Sequence, residues 1–77
     1  EGARFENNPD GEGVIVAGLS RNSRAAYSGL RPGDLITGAN RKQVLDLKSF
    51  KQALALNQES VLLQINRRGR PMYLVIR

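Results

Sequence analysis

Cysteine, histidine and tryptophan are all missing from these 77 residues. The lack of cysteine removes any disulfide framework and any thiolate metal site, and with them any clue to the redox compartment. The lack of histidine removes the Ser-His-Asp triad, the Cys-His pair and the imidazole metal centre. Aromatic residues are few, two Phe and two Tyr. None lies inside the densest run of bases, Arg67-Arg68-Gly69-Arg70, whereas nucleic-acid binders of this size interleave aromatics with bases or set bases along a recognition helix. Nucleic acid is therefore not an expected partner. No apolar run approaches the ~20 residues that a membrane-spanning helix needs, and no signal-peptide pattern opens the chain. The abrupt start at Glu1 leads to the expectation of a fragment cut from a longer chain.

Hydrophobic residues make up 40% of the chain and charged residues 25%. That is an ordinary globular balance, and the length suits a single domain over 1–77 with one modest core. The net charge of +5 is unevenly placed. Residues 1–40 carry four bases against five acids, a balance of −1, and residues 41–77 carry eight bases against Asp46 and Glu59, a balance of +6. Arg41, Lys42, Arg67, Arg68 and Arg70 make up the basic cluster. It reads as a solvated hairpin tip that keeps a sheet edge soluble, as a contact for an acidic neighbouring subunit, or as a weak contact with an anionic membrane surface.

Catalytic and metal chemistry find little support. Asp10-Gly11-Glu12 offers two carboxylates, where Ca²⁺ takes about six to eight oxygens. Ser20, Ser23 and Ser49 coexist with lysines, but no spacing supports a Ser-Lys dyad. The expectation is a chain that is not an enzyme and holds no metal and no cofactor.

Ala3-Arg4-Phe5 reads as a very short strand, followed by a polar loop from Glu6 to Glu12. Gly13 to Leu19, rich in β-branched residues, reads as a buried strand. Ser23 is placed to cap a short helix over Arg24 to Ser28, which Gly29 ends. Arg31-Pro32-Gly33-Asp34 has Pro and Gly at the centre of a type II turn, because Pro fixes φ and Gly accepts φ > 0. Leu35 to Ala39 is the next strand, Asn40-Arg41-Lys42 a turn, and Gln43-Val44-Leu45 a short extended piece. Asp46 caps the one clear helix, predicted from Leu47 to about Leu56, along which Leu47, Phe50, Ala53 and Leu54 form one apolar stripe. Ser60 to Asn66 and Met72 to Ile76 are two strands joined around Arg67 to Pro71. The pattern predicts an α+β, mostly β fold: a small, partly open β-barrel or sandwich of about five to six strands capped by two helices.

The stretch Ser23-Arg24-Ala25-Ala26-Tyr27-Ser28-Gly29-Leu30-Arg31-Pro32-Gly33-Asp34-Leu35-Ile36, with Gly38-Ala39-Asn40 after it, resembles the core motif of bacterial PDZ domains. Arg24 stands where that motif usually has Pro, and Arg41 where Gly often follows the Asn. The strand before and the hairpin after fit as well, so the resemblance covers nearly the whole chain. The basic hairpin followed by Tyr73-Leu74-Val75-Ile76 makes it most similar to the second, C-terminal PDZ domain of the DegP/DegQ (HtrA) family of periplasmic serine proteases. The resemblance implies a PDZ-like fold, a periplasmic location, and a homo-oligomeric parent whose serine endopeptidase domain lies elsewhere. It implies a non-catalytic module that serves oligomer assembly, capture of unfolded-protein substrates, or both, with peptide or protein C-termini and neighbouring protease subunits as partners. The alternative is the regulatory PDZ of an intramembrane metalloprotease or a C-terminal processing peptidase.

PDZ domains take a peptide as an extra strand on an open sheet edge and hold its terminal carboxylate on backbone amides. Carried onto this chain, Glu1, Gly2 and Ala3 form the carboxylate loop and Ala3, Arg4 and Phe5 the receiving strand. Leu47, Phe50, Lys51 and Leu54 form the helix side. Without the resemblance, the same helix stripe reads as an ordinary core face. Gly29, Leu30, Gly33, Asp34 and Ile36 carry the family motif but read as scaffold, with Leu30 and Ile36 in the core and Asp34 accepting hydrogen bonds from turn amides.

Overall fold

Short β-branched and aliphatic segments separated by Gly, Pro and Asn turns favour strands over helices, and strands dominate the result. The computed structural model describes residues 2–77. The elements run β1 (Ala3–Asn7), β2 (Val14–Leu19), α1 (Arg24–Tyr27), β3 (Leu35–Ala39), β4 (Lys42–Gln43), α2 (Leu47–Leu54), β5 (Val61–Arg67) and β6 (Arg70–Ile76). All strand pairs are antiparallel, in the order β1-β2-β3-β5-β6, with β4 attached to β3. Val14, Val16, Ile36, Leu63 and Ile65 are almost fully buried, and Leu30, Val44, Phe50 and Ala53 complete the core from the turns and α2. Each large aliphatic buried this way contributes roughly 1.5–3 kcal/mol. This is the mostly β architecture expected of a small open sheet with two helices laid over it.

Both helices start where their caps predict. The Ser23 hydroxyl accepts from the Ala26 amide at 3.1 Å and donates to the Ser20 carbonyl at 2.8 Å. Asp46 accepts from the Ser49 amide at 2.8 Å, while the Ser49 hydroxyl accepts from the Asp46 amide at 3.0 Å, a reciprocal capping box. The Arg31–Asp34 turn closes through the Asp34 amide donating to the Arg31 carbonyl at 3.1 Å.

Several boundaries differ from the sequence reading. Helix α1 ends at Tyr27 with Ser28 as its cap, and α2 ends at Leu54 rather than Leu56. Leu56 is 60% exposed, so no core contact rewards a longer helix, and the Asn40 side chain takes up the carbonyls of Ala53 and Asn57 at 2.9 and 3.3 Å. Strand β1 is longer than expected because Glu6 and Asn7 pair with Ile15 and Val14. The short extended piece lies at Lys42–Gln43, since Asn40 and Arg41, at φ +50° and +67°, make the turn by themselves. The β5–β6 connection is tight rather than a loop over Arg67 to Pro71. Arg67 pairs with Arg70 across a two-residue turn in which Arg68 and Gly69 are left-handed, at φ +54° and +81°. Pro71 is tolerated within β6 because β6 is an edge strand.

Candidate functional site

Strand β1 has one partner, β2. Its other edge is unpaired among the described residues, and strand edges of this kind carry N–H and C=O groups with no ladder partner. A groove of about 550 Å³ lies between this edge and α2. The period-two alternation of a strand turns Ala3 and Phe5 inward, where both line the groove, and turns Arg4 outward. The Arg4 guanidinium lies on the far face, about 3.3 Å from where a Cβ on Gly18 would stand. Phe5 meets Phe50 of α2 edge to face, with ring centroids 4.9 Å apart at 74°. Leu54, Val61, Leu63 and Ile76 extend the apolar wall.

The upper end of the groove is shaped by Gly2. Its φ is +77°, and a Cβ there would stand 2.8 Å from the Ser23 Cβ, so only glycine brings the backbone this close to the start of α1. The Ser20 amide donates to the Gly2 carbonyl at 2.6 Å and ties this turn to the end of β2. Ser20, Asn22, Ser23, Arg24 and Ala25 line the groove at this end.

Two asparagines hold α2 in place. At its N-terminus, the Leu47 amide donates to the Asn7 side chain at 2.7 Å, joining the helix to the end of β1. At its C-terminus, Asn40 donates to the Ala53 and Asn57 carbonyls and accepts from the Leu62 amide at 3.1 Å. The width of the groove is thus set by hydrogen bonds from the sheet to both ends of its helical wall.

Of the residues assigned to the site from the sequence, Gly2, Ala3, Phe5, Phe50 and Leu54 meet in this groove. Glu1 lies outside the described residues. Arg4 offers only its backbone to the open edge, Leu47 packs against the core at the opposite end of α2, and Lys51 is exposed and does not line the groove. Phe50 is at once core, 3% exposed, and groove floor. The sequence reading missed Asn7 and Arg24. Asn7 finds its partner 40 residues away, which no local pattern signals. Arg24 did carry a signal, as a charged residue where the motif has Pro.

The basic cluster is also not uniform. Asp34, 2% exposed, accepts from the Arg31 amide at 2.9 Å, as a turn aspartate does, but it also takes a two-point contact from Arg67 at 2.9 and 2.8 Å. The Arg67 guanidinium donates further to the Gly29 carbonyl at 2.7 Å. Arg67 is therefore an internal strut between β5 and the Gly29–Asp34 turn, and the hydrogen bonds to Asp34 push its pKa further up. Arg31, Arg68 and Arg70 are exposed around it. At the head of α2, the Ser49 amide and then the Ser49 hydroxyl hold the Asp46 carboxyl below its usual value.

The comparisons with known proteins bear on the family and the fold. The PDZ domain family model matches residues 15–67. The chain belongs to the PDZ domain family. Its curated relatives are longer proteins. It is 34% identical over 76 residues to the periplasmic serine endoprotease DegP of Salmonella typhimurium, covering 99% of this chain and 16% of the relative. It is 33% identical over 67 residues to the periplasmic pH-dependent serine endoprotease DegQ of Escherichia coli, covering 87% and 15%. Among solved structures, this PDZ domain superposes on the HtrA3 PDZ domain bound to a phage-derived ligand, FGRWV, with a TM-score of 0.84 and 22% identity over 97% of this chain and 79% of that one. It also superposes on the HtrA-type protease AlgW with a decapeptide, with a TM-score of 0.80 and 26% identity over 97% and 26%.

Proposed function

We propose that this PDZ domain is a non-catalytic module of an HtrA-type periplasmic serine protease and that it captures the C-terminal ends of polypeptides. The observation that carries the reading is the open β1 edge facing the Phe5–Phe50 floor, closed at one end by the Gly2 turn. An incoming peptide pairs its main chain with β1, antiparallel to it. Its last side chain enters the apolar slot and its carboxylate meets backbone amides at the turn. The ligands named for the HtrA3 domain and for AlgW belong to proteins of this fold, which supports a peptide as occupant here.

The relatives matched are serine endoproteases, which favours an HtrA-type parent over a metalloprotease or processing-peptidase regulator. We place the domain as the second PDZ of that parent on the basic hairpin and its Tyr73–Ile76 continuation, and assembly of a homo-oligomer is its second role.

The test is calorimetric titration with a hydrophobic-ended pentapeptide, as free carboxylate and as C-terminal amide. Saturable binding that weakens about tenfold or more on amidation is expected, since a charge-assisted contact is lost. Equal affinity for both forms removes the carboxylate turn from the account, and no binding of either leaves assembly as the domain's role.

A further inference from the structure

A second concavity, of about 680 Å³, lies between the Arg31–Asp34 turn and the β5–β6 hairpin and shares no lining residue with the groove. Arg31, Arg67, Arg68 and Arg70 line it, with Pro32 and Met72 as its apolar surface. The bonds from Arg67 to Asp34 and to the Gly29 carbonyl tie the turn to the hairpin, so the backbone that carries these arginines is fixed in advance. Asp34 is the one carboxylate lining the pocket, and it is already engaged. One of its oxygens accepts from Arg67 Nε, the other from Arg67 Nη2 and the Arg31 amide. Among the described residues, Arg31, Arg68 and Arg70 take part in no salt bridge. The carboxylates at the chain's two ends are remote from them. Ile76, next to the C-terminus, pairs with Val61, whereas Arg70 pairs with Arg67 at the other end of β6, about 20 Å along the strand. Gly2, which follows Glu1, lines the groove together with Ile76 and packs on Ser20 and Ser23.

The hairpin turn adds an independent sign. Arg68 stands at φ +54° ahead of Gly69 at φ +81°, in a turn whose first position favours Asn, Asp or Gly. An arginine kept where the local backbone preference runs against it points to a use for its side chain. We propose that this pocket is a phosphate site, which takes the terminal phosphate of a phosphomonoester between Arg31, Arg68 and Arg70. A phosphomonoester carries a charge of roughly −1.5 to −2 near pH 7 and three acceptor oxygens. Planar guanidinium forks suit two-point contact with such oxygens. A phosphodiester brings one charge and fewer free oxygens to the same three arginines and is held less well. The phosphate belongs to a lipid headgroup or to a small soluble ester, since the chemistry is shared. The site is independent of peptide capture.

Glycerol 3-phosphate and its methyl phosphodiester, titrated at constant ionic strength into the ¹⁵N-labelled domain, test this by amide-resolved NMR. Saturable shifts are expected at Arg31, Gly33, Asp34 and Arg67 to Arg70, with Gly2 to Asn7 and α2 unmoved, and with the monoester bound about fivefold or more tighter than the diester. Arg68→Asn is expected to weaken the monoester about tenfold while its Tm stays level or rises, because the left-handed position is relieved. Loss of binding in that variant is therefore not loss of fold, and Arg70→Gln gives a second reading that leaves the turn unchanged. Co-sedimentation with neutral vesicles doped with a lipid phosphomonoester, or with a lipid phosphodiester at matched surface charge, distinguishes the sources. Retention on the monoester vesicles alone supports a headgroup phosphate, and a response to the soluble monoester alone supports a small ester. Shifts that do not saturate, or equal affinity for monoester and diester, overturn the site. Unchanged monoester affinity in both Arg68→Asn and Arg70→Gln overturns it too. Equal retention on both vesicle types without a saturable response to the soluble monoester is the behaviour of a general basic surface, and likewise overturns it.

Discussion

Gly2 is where one residue's lack of a side chain decides the shape of the site. Alanine there meets two penalties together, a left-handed backbone and a contact of 2.8 Å with Ser23. Gly2→Ala is expected to lower stability by roughly 1–3 kcal/mol and to weaken peptide binding more than a distant surface change does, as read by denaturant unfolding and calorimetry. Asp34 shows the opposite case, a residue whose side chain is indispensable. It neutralises Arg67 and receives the Arg31 amide while 2% exposed. Truncation leaves those donors short of an acceptor, so Asp34→Ala is expected to cost about 2–4 kcal/mol. Asp34→Asn, which keeps the shape, costs less. A loss below about 1 kcal/mol in Asp34→Ala would mean that the Arg67 strut carries little of the fold.

At the scale of elements, the groove depends on α2, and α2 depends on its caps. The Ser49 amide and hydroxyl hold the Asp46 carboxyl below its usual value. A group whose folded pKa is depressed stabilises the fold above its unfolded pKa, and that contribution is lost as pH falls through the folded value. Wild-type stability should therefore fall below about pH 4 more steeply than that of Asp46→Asn, in chemical unfolding across pH 2.5 to about 6. The β5–β6 turn holds Arg68 at φ +54°, where Asn or Gly sits with less strain. Arg68→Asn should stabilise the domain by roughly 0.5–1 kcal/mol, seen as a raised Tm.

Elements were also where the sequence was most legible. Ser23 and Asp46 announce two helix starts, Pro32-Gly33 announces a turn, and the Ser23–Ile36 motif announces the family. Helix ends were harder, because Leu56 continues the periodicity of α2 but finds nothing to pack against. Contacts between distant segments left no local trace. Asp34 with Arg67 spans 33 residues and Asn7 with Leu47 spans 40. Among the candidate site residues, strand alternation explains why Arg4 turns away from the groove, and a helical wheel alone does not separate Lys51 from the wall it borders.

For the whole molecule, the sheet leaves the β1 edge open beside a helix hydrogen-bonded at both ends, and the exposed bases Arg31, Arg68 and Arg70 lie around the Arg67 strut on a separate surface. The groove proposed for peptide capture and this basic surface thus lie on different faces. The chain spans about 16% of the DegP relative it matches, so the whole protein's protease activity and assembly are proposals that extend beyond this domain. The most direct test of the central claim is an amide-resolved NMR titration of the uniformly ¹⁵N-labelled domain with the hydrophobic-ended pentapeptide as free carboxylate. The account predicts saturable shifts confined to Gly2 through Asn7, the Ser20–Ala25 segment and α2, with Arg31, Arg68 and Arg70 unmoved. Shifts concentrated at those arginines, with the β1 edge and α2 silent in a folded domain, would contradict it.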